Sequence, residues 1–277
     1  MKKIVIIGDG RKPDVQPAVD RFLEWLKGKA DVVLVDTEGK ADLADVGADI
    51  LVLFGGDGSM LSVARRLNGC PVPVVGVNMG RFGFLTHFEA VSVEDDFVSL
   101  LSDSVGVEEW MMLRCVVERD GARRFEDIVL NEALVGSGGV PRMVSVELYV
   151  DGEHAATCRG DGVIAATPAG STAHSLSAGG PIVNSGMKAF LITPICPHTL
   201  TSRPLVVQPE SKIVLKPQGD ACLTLDGQVN LELSAGDEVL VEQAPLTFNV
   251  AVNESRTYYG SLKEKLNWGR PPAYGKG

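Results

Sequence analysis

The chemistry of this chain is most legible at a carboxylate set among glycines. Gly55-Gly56-Asp57-Gly58-Ser59 follows the apolar run Ile50-Leu51-Val52-Leu53-Phe54 and precedes a stretch whose pattern predicts a helix from near Met60 to Leu67. Strand, glycine turn and helix in that order form a phosphate site, because backbone N–H groups and the positive end of the helix dipole meet at the turn. A carboxylate there is electrostatically unfavourable unless a metal bridges it or it takes a proton. Asp57 therefore reads as the base for an attacking hydroxyl in phosphoryl transfer, against the plainer reading of an Asp that only forms a turn. Gly55, Gly56, Gly58 and Ser59 would hold donor phosphates through backbone N–H groups, with Mg2+ or another divalent metal neutralising them. A second segment, Asp161 to Pro181, sets a carboxylate before the strand-like Val163-Ile164-Ala165-Ala166 and then a dense series of Gly, Ser and Thr. Gly170, Gly179 and Gly180 are expected to supply positive φ and close approach to a ligand, and Ser171 and Thr172 to cap a helix whose N–H groups favour an anion. This segment alone does not name the ligand.

Taken together, the two segments resemble those of the NAD kinase family, which transfers a phosphoryl group to the 2′-hydroxyl of the adenosine ribose of NAD. Asn78-Met79-Gly80-Arg81-Phe82-Gly83-Phe84-Leu85 is similar to the family's Asn-x-Gly-x-Leu-Gly-Phe-Leu, with Phe82 in the Leu place. Asn131-Glu132 matches its Asn-Glu pair, the stretch from Ile192 to Val206 its late signature, and Asp226-Gly227-Gln228 follows. Three positions depart from the pattern: Ser59 and Ala169 each stand for a Thr, and His174 replaces a Tyr, so an imidazole takes the place of a phenol. Gly-Gly-Asp-Gly is shared with phosphofructokinases and lipid kinases, but Asp161 to Pro181 speaks against both. A dinucleotide-binding regulator without turnover is the alternative of another class, and Asp57 within its glycine turn argues against it.

The resemblance implies a catalytic Asp57 and a dinucleotide site drawn from Asn131, Glu132, Arg159, Asp161, Thr172, Ala173, His174, Ser177 and Gln228. It also implies ATP or polyphosphate as donor and a homodimer or homotetramer. Without it, Asn131-Glu132 is a solvated turn after Ile128-Val129-Leu130, Asp161 an Asp-Gly turn, and His198 equally a packed residue or a site residue. His87 and His154 have no motif around them. No His or Cys cluster has metal-ligand spacing, so any metal is expected to arrive with the nucleotide.

The chain has 277 residues, 45% hydrophobic and 22% charged, as for a folded protein with a substantial core. A net charge of -10 argues against nucleic-acid binding and against attraction to an acidic membrane, both of which need a basic face. A polyanionic substrate must then meet local cations, for which Arg81, Arg159, Lys188 and Arg203 are candidates because each lies in or beside a motif. Cys70, Cys115, Cys158, Cys196 and Cys222 are odd in number and far apart, which favours reduced thiols in a cytoplasmic protein. The apolar run at the N-terminus is too short for a signal peptide, and no segment approaches the ~20 apolar residues that span a bilayer.

These residues need elements to position them. Apolar runs at Ile4 to Ile7, Val32 to Val35, Ile50 to Phe54 and Val72 to Val77, separated by helices such as Val15 to Lys27, predict an α/β domain with a parallel sheet covered on both faces. The first turn, Gly8-Asp9-Gly10-Arg11-Lys12-Pro13, lacks a third glycine, so a Rossmann hydride-transfer fingerprint is not supported. After an acidic helix at Val93 to Leu101 the texture changes to short strands: Val116 to Arg119, Ile128 to Val135, Val144 to Val150, Val163 to Ala166, Ile213 to Leu215, Leu223 to Leu225, Glu238 to Glu242 and Phe248 to Val252. With turns at Asp120-Gly121 and Asp151-Gly152 this predicts an all-β, sandwich-like second domain. The expected limits are 1–105 for the α/β domain, 106–253 for the β-rich domain and 254–277 for a segment that the resemblance returns to the first domain. Only Gly275-Lys276-Gly277 reads as disordered.

Overall fold

The computed structural model describes residues 1–80, 83–102, 106–139, 142–253 and 257–269. Arg81, Phe82 and Gly275 to Gly277 lie outside them. The chain forms two compact units, one built from Met1–Met60, Val72–Glu108 and Asn249–Gly277, the other from Leu61–Pro71 and Glu109–Phe248.

The first unit opens with β1 (Lys3–Gly8), α1 (Val15–Leu26), β2 (Asp31–Asp36), β3 (Ile50–Gly55) and the start of α2 (Asp57–Leu67), whose residues from Leu61 onward count with the second unit, and continues with β4 (Val74–Asn78), β5 (Phe88–Glu89) and α3 (Val93–Leu101). Its strands lie in the order β5-β4-β3-β1-β2, every pairing parallel. Every residue of β3 and β4 is buried, as expected for parallel strands covered on both faces. Val15, Val19, Phe22 and Leu26 make the buried stripe of α1, and the Phe22 ring meets those of Phe54 and Phe97 at 5.4 and 5.0 Å. Each of these fully buried rings contributes on the order of 2 to 3 kcal/mol. Because Gly8 stands opposite Phe54 in the register, the loops after β1 and β3 leave the same sheet edge side by side. That edge, at the carboxyl ends of the strands, is where open α/β sheets take ligands.

The helix of the glycine turn starts earlier than its sequence pattern suggests. The N–H groups of Ser59 and Met60 donate to the Gly56 carbonyl at 2.9 and 3.0 Å. Asp57 is therefore the first residue of α2 and not part of a loop before Met60.

The strands that follow are β6 (Val107–Arg119), β7 (Ala122–Val129), β8 (Glu132–Gly136), β9 (Val144–Val150), β10 (Glu153–Gly160) and β11 (Gly162–Ala166). A 3-10 turn (Ala169–Thr172) and α4 (His174–Ser177) precede β12 (Phe190–Ile195), β13 (Leu205–Val207), β14 (Ile213–Pro217), β15 (Ala221–Leu225), β16 (Val229–Leu233) and β17 (Asp237–Ala251). In the second unit β10-β9-β14-β17 form one sheet, to which β6 and β7 add beside β17. The other sheet runs β13-β12-β11-β8-β15-β16 and is antiparallel throughout. Alternate residues such as Leu113 and Cys115, Val163 and Ala165, Leu223 and Leu225, and Val239 and Val241 bury in one shared core. Two sheets over one core make the sandwich that the turn spacing predicts.

Three expected strands are drawn differently. Ile128 to Val135 is not continuous, since β7 stops at Val129 and β8 starts at Glu132. Conversely, Glu238 to Glu242 and Phe248 to Ala251 belong to one 15-residue strand, β17, which stops one residue short of the expected Val252. Its end lies in the first unit, where Val250 pairs in parallel with Val74 and the Val252 N–H donates to the Gly106 carbonyl at 2.9 Å. Then comes α5 (Tyr258–Leu266), capped by Thr257, whose hydroxyl accepts from the Gly260 N–H at 3.0 Å. Lys265 of this helix rests its ammonium 4.1 Å from the centre of the Phe84 ring.

Candidate active site

Asp57 is held from the segment that follows β4. The Phe84 and Leu85 N–H groups donate to its Oδ2 and Oδ1 at 2.8 and 3.1 Å. The helix dipole favours the negative charge at this position. Gly83 is what allows the contact, for a Cβ there would fall 1.6 Å from Asp57 Oδ1. Asn78 folds the start of the same segment, its amide donating to the Gly80 carbonyl at 2.9 Å and accepting from the Gly80 N–H at 3.2 Å. Thus Asn78, Gly83, Phe84 and Leu85 act as supports of the carboxylate. Arg81 lies outside the described residues.

In the glycine turn, Gly55 leaves room for Ser59, whose Cβ and Oγ lie 2.6 Å from where a Gly55 Cβ would be. At Gly58 a Cβ would meet no atom of the described residues within 4 Å. Beside Gly56 stands a cation that the sequence reading passed over. Lys12 Nζ lies 3.7 Å from the position of a Gly56 Cβ. The only signal for it is the parallel pairing of β1 with β3, which no local motif carries.

In the second unit Asn131 and Glu132 are buried, at 5% and 8% exposure. Asn131 Oδ1 and Glu132 Oε2 have no hydrogen-bond partner among the described residues. Burial first, and then the charge of Asp226, pushes the Glu132 carboxyl up from 4.5 to about 8. Asp226 is itself raised by burial, opposed by the three backbone N–H groups it accepts and by the charge of Arg65. The pair therefore forms a buried, acid-lined break between strands and not the solvated turn that its residues taken alone suggest.

The Asp161 to Pro181 segment departs from its expected roles. Ser171 does not cap a helix: it is fully buried, and its hydroxyl donates to the Val183 carbonyl while accepting from the Val183 N–H. Thr172 donates to the Ala169 carbonyl within the 3-10 turn and is no cap either. Of the three glycines only Gly179 takes positive φ, at 87°. Gly170 and Gly180 are there for packing, since a Cβ would fall 2.3 Å from the Asn131 carbonyl oxygen or 2.2 Å from Ser175 Oγ. Ala173 links the 3-10 turn to α4, and His174 and Ser177 are exposed on α4.

Asp161 and His174 come together on the wall of a cavity of about 1130 Å3, which Arg142, Asn230 and Glu232 also line. Asn131, Glu132, Arg159, Thr172, Ala173, Ser177 and Gln228 do not line it. Arg159 is exposed on β10, and its carbonyl accepts the His198 N–H at 2.8 Å, so the His198 main chain belongs to the fold. Gln228 is exposed at the turn between β15 and β16, and Lys188 is exposed. Arg203 spends Nη1 on the carbonyls of Leu200 and Ser202, both at 2.7 Å. The Cys196 thiol is raised by its hydrogen bond to Asp161.

Among the described residues no group of three His, Cys, Asp or Glu side chains could hold a metal ion. Asp57 alone fits the way Mg2+ is shared between one carboxylate and substrate phosphates. Each of its oxygens accepts one N–H from the 83–85 segment, which leaves capacity for another partner.

A carboxylate at the N-terminus of a helix, on the carboxyl edge of a parallel sheet, is the arrangement that phosphoryl-transferring enzymes use. The chain matches the family models described as the ATP-NAD kinase N-terminal domain, over residues 5–105, and the ATP-NAD kinase C-terminal domain, over residues 130–252. It is 37% identical to an NAD kinase of Geobacter metallireducens and 38% identical to one of Geobacter sulfurreducens, each alignment covering 97% of this chain and 99% of the relative. An NAD kinase from Archaeoglobus fulgidus solved in complex with ATP superposes with a TM-score of 0.80 at 28% identity, covering 96% of this chain and 98% of that one. A yeast NADH kinase complexed with NADH shares the fold, with a TM-score of 0.88 at 23% identity over 98% of this chain and 89% of that one. The chain belongs to the NAD kinase family, and its reaction is phosphorylation of NAD to NADP.

Proposed function

We propose that Asp57 takes the proton of the adenosine 2′-hydroxyl of NAD while that oxygen attacks the terminal phosphorus of ATP. The new bond joins O2′ to phosphorus, the bond to the ADP oxygen breaks, and the proton rests on the Asp57 carboxylate. The observation that carries this reading is the seat of Asp57, anchored by Phe84 and Leu85 at the first position of α2 with lone pairs to spare. Gly55, Gly56, Gly58 and Ser59 hold the donor phosphates by main-chain N–H groups, and Lys12 supplies positive charge beside Gly56. Mg2+ or another divalent ion, held by those phosphates and Asp57, would neutralise donor charge. Catalysis is then positioning plus charge stabilisation by this chain's own groups.

On the acceptor side, Asp161 and His174 bind the dinucleotide in the cavity, and Asn131 and Glu132 offer it their buried side-chain oxygens. Arg159, Thr172, Ala173, Ser177 and Gln228 complete the contacts that the motifs suggest. ATP is the donor best supported, and polyphosphate presents the same terminal group. A homodimer or homotetramer in the cytoplasm completes the reading; no described helix is long and apolar enough to cross a membrane.

The test is Asp57→Asn, assayed for NADP formation from NAD with ATP and with polyphosphate. Turnover is expected to fall at least ~100-fold with NAD affinity kept within a few-fold. Near-normal turnover would remove Asp57 from the proton transfer.

A further inference from the structure

Three consecutive backbone N–H groups converge on one buried carboxylate. Leu130 donates to Asp226 Oδ2 at 3.0 Å, and Asn131 and Glu132 donate to Asp226 Oδ1 at 2.8 and 3.0 Å. Asp226 returns its own N–H to the Glu132 carbonyl at 3.0 Å. It does so from the turn between β15 and β16, in the left-handed region at φ 49°, 94 to 96 residues from its partners. Arg65 lies near enough to favour its charged form and pairs with Asp127 at 3.7 Å.

This carboxylate explains the break between β7 and β8. Ile128 to Val135 is apolar on both sides of Asn131-Glu132, and as one continuous strand its successive side chains would alternate between the two sheet faces. Instead the main chain from Leu130 to Glu132 turns its N–H groups to Asp226. From the other direction the Thr167 hydroxyl donates to the Leu130 carbonyl at 2.6 Å and the Thr167 N–H to the Asn131 carbonyl at 2.8 Å. Gly170 lies too close to the Asn131 main chain to carry a side chain. The backbone of the pair is thus fixed from both directions, while Asn131 Oδ1 and Glu132 Oε2 stay buried without a protein partner among the described residues. Buried acceptors left open by a well-bonded backbone are oriented for a ligand that brings donors.

We propose that Asp226 is the positioning residue of the dinucleotide site, its carboxylate holding Asn131 and Glu132 in the one arrangement that accepts NAD. The proposal rests on the reading that Asn131 binds NAD. An Asn at position 226 keeps the left-handed turn and one acceptor oxygen, but it sets an NH2 group where a second acceptor is needed.

A double-mutant cycle of Asp226→Asn and Asn131→Ala tests it, with NAD affinity read by calorimetry and KM and kcat read separately for NAD and ATP. Each single variant is expected to weaken NAD binding roughly 10-fold, with kcat and KM for ATP within about 3-fold, and the double variant to bind no more weakly than the worse single. Losses that multiply in the double variant overturn the proposal, as does unchanged NAD affinity in Asp226→Asn beside a weakened Asn131→Ala. Unchanged affinity in Asn131→Ala instead removes the underlying reading, and the proposal falls with it. Should Asp226→Asn fail to fold, the wild-type amides of Leu130, Asn131 and Glu132 carry the test in a pH titration followed by nitrogen-15 NMR. Bonded to one carboxylate, they move together; three independent titrations overturn the assignment.

Discussion

At the scale of single residues, Glu132 is a measurable case of a group whose burial sets its protonation. With its carboxyl raised from 4.5 to about 8, the folded protein keeps a proton that the unfolded chain gives up. Linkage then fixes the sign: the stability tied to this proton is fully present below about 4.5, falls as pH rises, and is gone above about 8. Glu132→Gln imitates the protonated form and removes the dependence. Thermal melts of both forms from pH 5 to pH 9 should therefore show wild type losing at least about 3 °C relative to the variant as pH rises. Parallel curves would mean that Glu132 is ionised throughout. Lys12 gives a second residue-scale prediction, because its ammonium stands beside Gly56 and is exposed. Lys12→Ala should raise KM for ATP roughly 5-fold, a charge-assisted contact discounted for solvent screening, and leave KM for NAD unchanged. Equal rises for both substrates would place Lys12 elsewhere in the reaction.

Elements decide which of these residues could be foreseen. The run from Ile50 to Ser59 announces its strand and turn because apolar continuity and glycine coincide there. The start of α2 at Asp57 is hidden, since glycine and Asp read locally as turn formers. Asn131-Glu132 could be recognised as a motif but not placed, because what interrupts Ile128 to Val135 is a carboxylate at position 226. In the same way β17 reads as two strands across Pro245, and β10 carries Glu153, His154 and Thr157 on an exposed edge without an alternating apolar face. Cys196, at φ 43°, and the pairing of β1 with β3 are likewise set by distant contacts. The segment that supports Asp57 yields a prediction of its own. Gly83→Ala would drive a methyl group into Asp57 Oδ1, so the carboxylate or the segment must shift. Turnover should fall by ~10- to 100-fold, as for a misplaced catalytic base, with NAD binding retained. Normal kcat in this variant would show that Asp57 does not need its anchor.

For the whole molecule, a net charge of -10 and two anionic substrates leave recognition to a few local cations, and composition alone shows that much. What composition and spacing do not show is that the first unit is assembled from three separate stretches of chain, the last beginning at Asn249. That last stretch brings the strand partner of Val74 and the helix whose Lys265 covers Phe84, the same residue whose N–H steadies Asp57. A chain ending at Phe248 should therefore form no NADP, and substantial activity from it would contradict the dependence. During synthesis the ribosome makes the β4 edge early and its β17 partner late, after the stretches that form the second unit. A nascent chain can hence carry every residue from Gly55 to Ser59 and still be unable to use them, so competence waits for the stretch that begins at Asn249 and a product cut before it is silent instead of half-active.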